Sequence, residues 1–84
     1  MNNKILIELD IPVIERSYDL FIPINKKIGT IKNLIESSLV ELSDNAYKIN
    51  PKSNLYSKET GSIYDVNLTV KDTDLKNGSR IILI

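Results

Sequence analysis

The sequence contains no histidine, no cysteine and no tryptophan. Without histidine and cysteine the commonest metal ligands are missing, together with every thiol nucleophile and any imidazole general base, so most catalytic chemistries are excluded. An excess of charge of one sign is missing too. Lys plus Arg and Asp plus Glu number 11 each, and no run of like charge exceeds Lys26-Lys27, which argues against an electrostatic footprint for nucleic acid. No apolar stretch approaches the roughly 20 residues of a membrane span, and Met1-Asn2-Asn3-Lys4 runs into a short apolar segment with no signal-peptide cleavage site. A cytoplasmic chain that does not insert into a membrane is therefore expected. Low-complexity tracts and internal repeats are also absent, and 84 residues suffice for one core and are too few for two. A single domain over 1–84 follows.

The residues that are present alternate in two periods. Lys4-Ile-Leu-Ile-Glu-Leu-Asp10 puts Ile5, Ile7 and Leu9 on one face and Leu6, Glu8 and Asp10 on the other, the mark of a strand. Ile11 to Arg16 is a turn-like connector in which Pro12 blocks strand continuation. Ser17 to Ile22 then resumes the alternation with Tyr18, Leu20 and Ile22 on one side, so the two strands should form an antiparallel hairpin. From Thr30 the period lengthens. Ile31, Leu34, Ile35, Leu39 and Leu42 form the stripe of an amphipathic helix, with Thr30 as N-cap after Gly29 and with Lys32, Asn33, Glu36, Ser37 and Glu41 on the polar side. On this reading Leu34 is a core residue whose replacement by Ala costs about 2–5 kcal/mol. Ser43-Asp-Asn45 ends the helix, which at about twelve to fourteen residues must pack on the sheet to be stable.

The second half is less regular. Ala46-Tyr-Lys-Ile-Asn50 is expected to be a strand with Tyr47 and Ile49 inward, stopped by Pro51. Leu55-Tyr56 and Ile63-Tyr64 flank a polar segment and could form a second hairpin, with the register left open. Thr69-Val-Lys-Asp72 has the spacing of a capping box around one helical turn. Leu75 returns to the core, Asn77-Gly78 supplies a tight reversal, and Arg80 to Ile84 is an apolar strand. The final strand is expected to lie parallel beside the first, both being rich in apolar residues suited to a central position. The resulting pattern is α+β, a mixed sheet of four to five strands with one main helix across it.

Over nearly its whole length, and most closely through Leu68-Thr-Val-Lys-Asp-Thr-Asp-Leu-Lys-Asn-Gly-Ser-Arg-Ile-Ile-Leu-Ile84, the chain resembles ubiquitin-like proteins of the β-grasp fold. Among free-standing bacterial members it is most similar to the YukD family, associated with type VII secretion loci of Gram-positive bacteria, through Lys4-Ile-Leu-Ile-Glu-Leu-Asp10, the Tyr18-Asp-Leu-Phe-Ile22 strand and Leu75-Lys-Asn-Gly-Ser-Arg-Ile-Ile-Leu-Ile84. Conjugating modifiers and sulfur carriers of this fold carry a flexible Gly-Gly tail, because only glycine lets the backbone enter an activating enzyme's narrow channel. This sequence instead reaches Leu83-Ile84 inside the strand, which implies neither conjugation nor sulfur transfer from that end.

Asp72 and Asp74 could suggest a general acid–base pair, but a capping role and a solvated turn account for them. Tyr18, Tyr47, Tyr56 and Tyr64 are read as sheet residues with their hydroxyls in water, and Lys26, Lys27 and Lys32 as a modest solvated basic cluster. The sheet's outer face is harder to explain in this way. With Ile81 and Leu83 inward, Ile82 and Ile84 point out, joined by Leu6 and Phe21, where a solvated face should have been polar. The resemblance implies that partners bind an exposed apolar patch on this face, with Lys48 of the third strand beside it. The protein-binding residues are accordingly Leu6, Phe21, Lys48, Ile82 and Ile84, with no catalytic residue, metal or cofactor. The implied function is a non-conjugating adaptor that contacts a protein of a type VII secretion machinery, accessory or regulatory to it. The alternative is a ubiquitin-like carrier or scaffold domain of an unrelated pathway. Oligomeric state is left open.

Overall fold

A computed structural model describes residues 3–84; the lead-in read at Met1 and Asn2 lies outside them. Strand β1 (Lys4–Ile11) is followed by a 3-10 turn at Pro12–Ile14, β2 (Arg16–Pro23), helix α1 (Ile28–Leu42), β3 (Leu55–Ser57), a second 3-10 turn at Val70–Asp72 and β4 (Ser79–Leu83). The four strands lie in the order β2-β1-β4-β3. As the patterns predict, β1 is antiparallel to β2 and parallel to β4; the structure adds that β4 is antiparallel to β3. Pro12 sits in the first turn of the 3-10 segment, and Glu15 takes a positive φ of 55° to bring the chain back. Ile11 thereby stands opposite Arg16 and Lys4 opposite Pro23.

The core is built from Ile7, Leu9, Ile11, Ile22, Ile81 and Leu83 of the sheet and Ile28, Ile31, Ile35 and Leu39 of the helix. Each of these buried side chains removes apolar surface worth about 1.5–3 kcal/mol. The buried side of α1 is rotated from the expected one. Leu34 is 52% exposed, and Leu42 is exposed as well, whereas Lys32 and Glu36 are 8% and 2% exposed. At about 100° per residue Lys32 and Glu36 flank the Ile28, Ile35 and Leu39 stripe on one side, and Leu34 falls on the other. The segment after the helix folds over the first flank and leaves the second in solvent. The expected large cost of Leu34→Ala is therefore withdrawn, and Lys32 is no part of a solvated basic cluster with Lys26 and Lys27.

The helix also starts earlier than Thr30, with Lys27 as N-cap and no side-chain cap. Its first N–H groups are satisfied from elsewhere in the chain: Ile28 N donates to Leu68 O at 2.8 Å and Gly29 N to Val66 O at 3.0 Å. Backbone carbonyls of the turn at 66–68 replace the hydroxyl that usually meets these orphan donors. Gly29 serves this close approach and not a sharp entry, because a Cβ there would lie 3.3 Å from the Val66 carbonyl oxygen. At the other end Asn45 N donates to Val40 O at 2.8 Å, with Asp44 and Asn45 at positive φ, as the helix-ending role of Ser43-Asp-Asn45 requires. Arg16 Nη1 donates to Ser43 O at 3.2 Å, a cation at the negative end of the helix dipole.

Residues 46–50 are not a strand. Tyr47 N donates to Ser43 Oγ, just past the end of α1, and Asn50 N to Glu36 on the helix, and Ile49 is exposed instead of inward. The second hairpin shrinks to a single bridge between Tyr56 and Ile63. The turn after Thr69 forms, but its hydroxyl makes no capping bond; Asp72 N donates to Thr69 O and Thr73 Oγ1 to Val70 O at 2.6 Å instead. Leu75 packs against the core as expected. Gly78 adopts φ +88°, and its N–H donates to Leu6 O while Asn77 Oδ1 accepts from Leu6 N, both at 2.8 Å. This turn thus docks on β1 before β4 begins and sets the parallel register that puts Ile7 opposite Ser79.

Candidate functional site

Residues directly opposite on neighbouring strands share a face. The outer face can therefore be laid out from the register. Leu6 faces Phe21, and Glu8 lies between Asp19 and Arg80. Asp10 lies between Ser17 and Ile82, and Ile82 faces Tyr56. The apolar residues proposed from the sequence consequently fall at two ends of the sheet with a charged belt between them. At one end Leu6 and Phe21 are exposed, and Phe21 with Leu20 and Leu34 borders a small depression of ≈ 120 Å³ between β2 and α1. At the other end stand Ile82 and Ile84.

The belt is tied together by Asp10, which accepts from Ser17 Oγ at 2.7 Å and pairs with Lys58. Because Lys58 follows β3 and Asp10 lies on β1, this pair crosses the outer side of β4. Ile82, between Asp10 and Tyr56, is only half exposed as a result. The hydrogen bond from Lys58 and then that from Ser17 hold the Asp10 carboxyl below its usual range, against a smaller opposing effect of burial.

Ile84 is 59% exposed and is tied down by its N–H to Asn54 O at 3.1 Å and by Asn54 N to its carbonyl at 2.7 Å. It borders a groove of ≈ 340 Å³ whose walls include Val13, Tyr47, Lys48, Ile49 and Leu83. Val13 and Ile49 are 76% and 58% exposed. Lys48 is exposed here too, but it lies on the irregular 46–50 segment and not on a sheet strand, which corrects its expected placement. Lys48 is the one charged residue lining the groove and makes no salt bridge among the described residues. Reading the sequence missed Val13 and Ile49. Val13 sits in a connector where no periodicity operates, although an apolar residue in an exposed turn next to Pro12 was a usable signal. Ile49 faces inward only if the segment pairs as a strand, which it does not.

Below the groove lies a buried polar group. Glu36 Oε1 pairs with Lys32 Nζ at 2.9 Å. Its Oε2 accepts from Tyr47 Oη at 2.6 Å and from Asn50 N at 2.9 Å. Burial alone would push the Glu36 carboxyl up, but the hydrogen bonds from Tyr47, Asn50 and Lys32 outweigh it and leave the group below its usual value. Burial, and then the hydrogen bond to Glu36, push the Tyr47 phenol up to about 12. Among the described residues no cluster of three or more acidic side chains could hold a metal ion, and no helix is long and apolar enough to cross a membrane.

No protein-family model matches the chain, and no curated protein does. Solved structures do match. Ubiquitin of Caldiarchaeum subterraneum superposes with a TM-score of 0.67 at 15% identity, over 95% of this chain and 90% of that one. The EccD5 ubiquitin-like domain of Mycobacterium xenopi gives 0.72 at 13% identity, over 99% and 94%. The fold is the ubiquitin-like β-grasp. A chain of an ESX-5 inner membrane complex free of MycP5 also contains it, with a TM-score of 0.73 at 11% identity, over 99% of this chain and 21% of that one. At these identities the likeness is one of ubiquitin-like fold. Within that fold, the charged belt and the groove at the Ile84 end are properties of this chain's own residues.

Proposed function

We propose that this chain is a non-conjugating ubiquitin-like adaptor that acts by protein–protein contact, as an accessory or regulatory component of a bacterial type VII secretion system on its cytoplasmic side. The observation that carries the contact reading is the groove bordered by Val13, Ile49 and Ile84, three apolar side chains more than half exposed. Exposed apolar residues that stand singly need no explanation; three around one concavity mark a contact surface. The secretion context is supported by the resemblance to YukD proteins in the passages quoted above, and by two fold neighbours, a chain of an ESX-5 inner membrane complex and the EccD5 ubiquitin-like domain. The contact residues are Lys48, Ile82 and Ile84 with Val13 and Ile49 added. Leu6 and Phe21 form a separate apolar end beyond the belt.

The test is affinity isolation of the tagged chain from its own host, read by mass spectrometry. Components of the secretion machinery should be recovered with the native chain and lost with Ile49→Glu or Ile84→Glu, since binding energy concentrates in a few central apolar residues. Phe21→Ser should leave recovery intact. Equal recovery by the two glutamate variants, or recovery lost only with Phe21→Ser, moves the contact to the other end of the sheet. Recovery of proteins of an unrelated pathway removes the secretion reading.

A further inference from the structure

Residues 46–50 form one wall of the groove without belonging to the sheet, so something other than strand pairing must hold them in place. Besides backbone bonds at its two ends, four contacts to side chains of α1 and its C-cap do so: Tyr47 N to Ser43 Oγ at 2.8 Å, Tyr47 Oη and Asn50 N to Glu36 Oε2, and Lys32 Nζ to Asn50 O at 3.4 Å. Two of them end on one carboxylate oxygen. The other oxygen of Glu36 is taken by Lys32, one helical turn earlier on α1. Every buried side-chain polar atom among the described residues has a partner, so the arrangement is complete.

A buried ion pair is weak evidence for stability, since well-packed apolar residues often do as well or better. An apolar pair at 32 and 36 would, however, offer Tyr47 and Asn50 no acceptor. We propose that Glu36, itself oriented by Lys32, is a positioning residue for the contact groove: it receives Tyr47 and Asn50 and so sets the 46–50 wall with Lys48 and Ile49 turned outward. Tyr47 is buried beneath this wall. The carboxylate is mounted on the helix, which packs directly on the sheet core through Ile35 and Leu39, so the wall inherits the rigidity of the core. This inference rests on the groove being the contact surface.

The experiment compares the native chain with Lys32→Met/Glu36→Leu and Lys32→Met/Glu36→Gln by backbone ¹⁵N relaxation and amide exchange of the free protein. In the native chain the order parameters of residues 47–50 should match the rigid backbone, about 0.85, and in the Met/Leu variant they should fall below about 0.6. Exchange at Ile7, Leu9 and Ile81 should change less than about threefold. The Met/Gln variant, which keeps an acceptor for Tyr47 and Asn50 without a buried charge, should recover most of the lost order, short of the share that Lys32 contributes through Glu36 and Asn50 O. Unchanged order at 47–50 in the Met/Leu variant overturns the proposal, and so does a loss of protection of equal size in the core amides. Because these readouts need no partner, they stand even if the glutamate variants above bind normally. Should Ile49→Glu abolish recovery of the partner while the Met/Leu variant recovers it in full, positioning by Glu36 is overturned and the groove reading survives.

Discussion

Leu39 and Leu34 lie on the same helix and differ in what covers them, so truncating each to Ala measures the rotation of α1 directly. Leu39 is 0% exposed and Leu34 is 52% exposed. For Leu39 the loss combines transfer of the side chain with a cavity that the surrounding Ile and Leu side chains only partly fill, about 2–5 kcal/mol. For Leu34 about half the side chain is already in water, so the transfer loss is about 1 kcal/mol or less, no cavity forms, and the better helix propensity of Ala offsets part of it. A domain of this size has a total stability of roughly 4–13 kcal/mol, so the first change is a large share and the second a small one. The assay is guanidinium denaturation followed by far-ultraviolet circular dichroism, since the sequence has no tryptophan. With m near 3 kcal/mol/M, a loss of about 3 kcal/mol lowers the midpoint by about 1 M at unchanged m. Equal midpoint shifts for the two variants would refute the orientation of the helix and with it the burial of Lys32 and Glu36.

The buried Glu36–Tyr47 pair and the turn at Gly78 give three further outcomes. The Tyr47 phenol is raised from 10.0 to about 12, so the unfolded chain releases this proton first; stability is fully present below pH 10 and is lost on going from about pH 10 to 12, by on the order of 2–3 kcal/mol. Denaturation midpoints measured across that range should fall less steeply in Tyr47→Phe, and an identical fall would place the alkaline sensitivity elsewhere, the half-buried Tyr64, whose phenol is also raised, being the next candidate. Glu36, held below its usual value, acts in the opposite sense: its contribution is present above about pH 4.5 and is lost as the pH falls through its lowered folded value. Gly78→Ala should lower stability by about 1–2 kcal/mol, since φ is +88° and nothing lies within 4 Å of the added Cβ, so the cost is backbone strain alone. Thermal denaturation unchanged from native would mean the turn relaxes freely.

Sequence periodicity alone determined the elements whose residues repeat their environment. Ile5, Ile7 and Leu9, Tyr18, Leu20 and Ile22, and Ile81 and Leu83 each meet the same side of one sheet at every second position, so their pattern carries both the strand and its inward face. The placing of β4 beside β1 followed because these two strands are the most apolar and occupy the centre, whereas the position of β3 at the edge did not. Three matters were decided only in three dimensions. A helix stripe defines its buried arc to within a flank, and which flank is covered depends on whether the 46–50 segment folds over Lys32 and Glu36 or over Leu34. A segment is a strand only if another strand takes its hydrogen bonds, and here Glu36 and Ser43 take those of Tyr47 and Asn50 first. Finally, alternation could show that Leu6, Phe21, Ile82 and Ile84 are apolar on an outer face, but not that Glu8, Arg80, Asp10 and Lys58 divide them. Adjacency across strands depends on register and on long side chains that cross a neighbour, and neither is a local property of the chain.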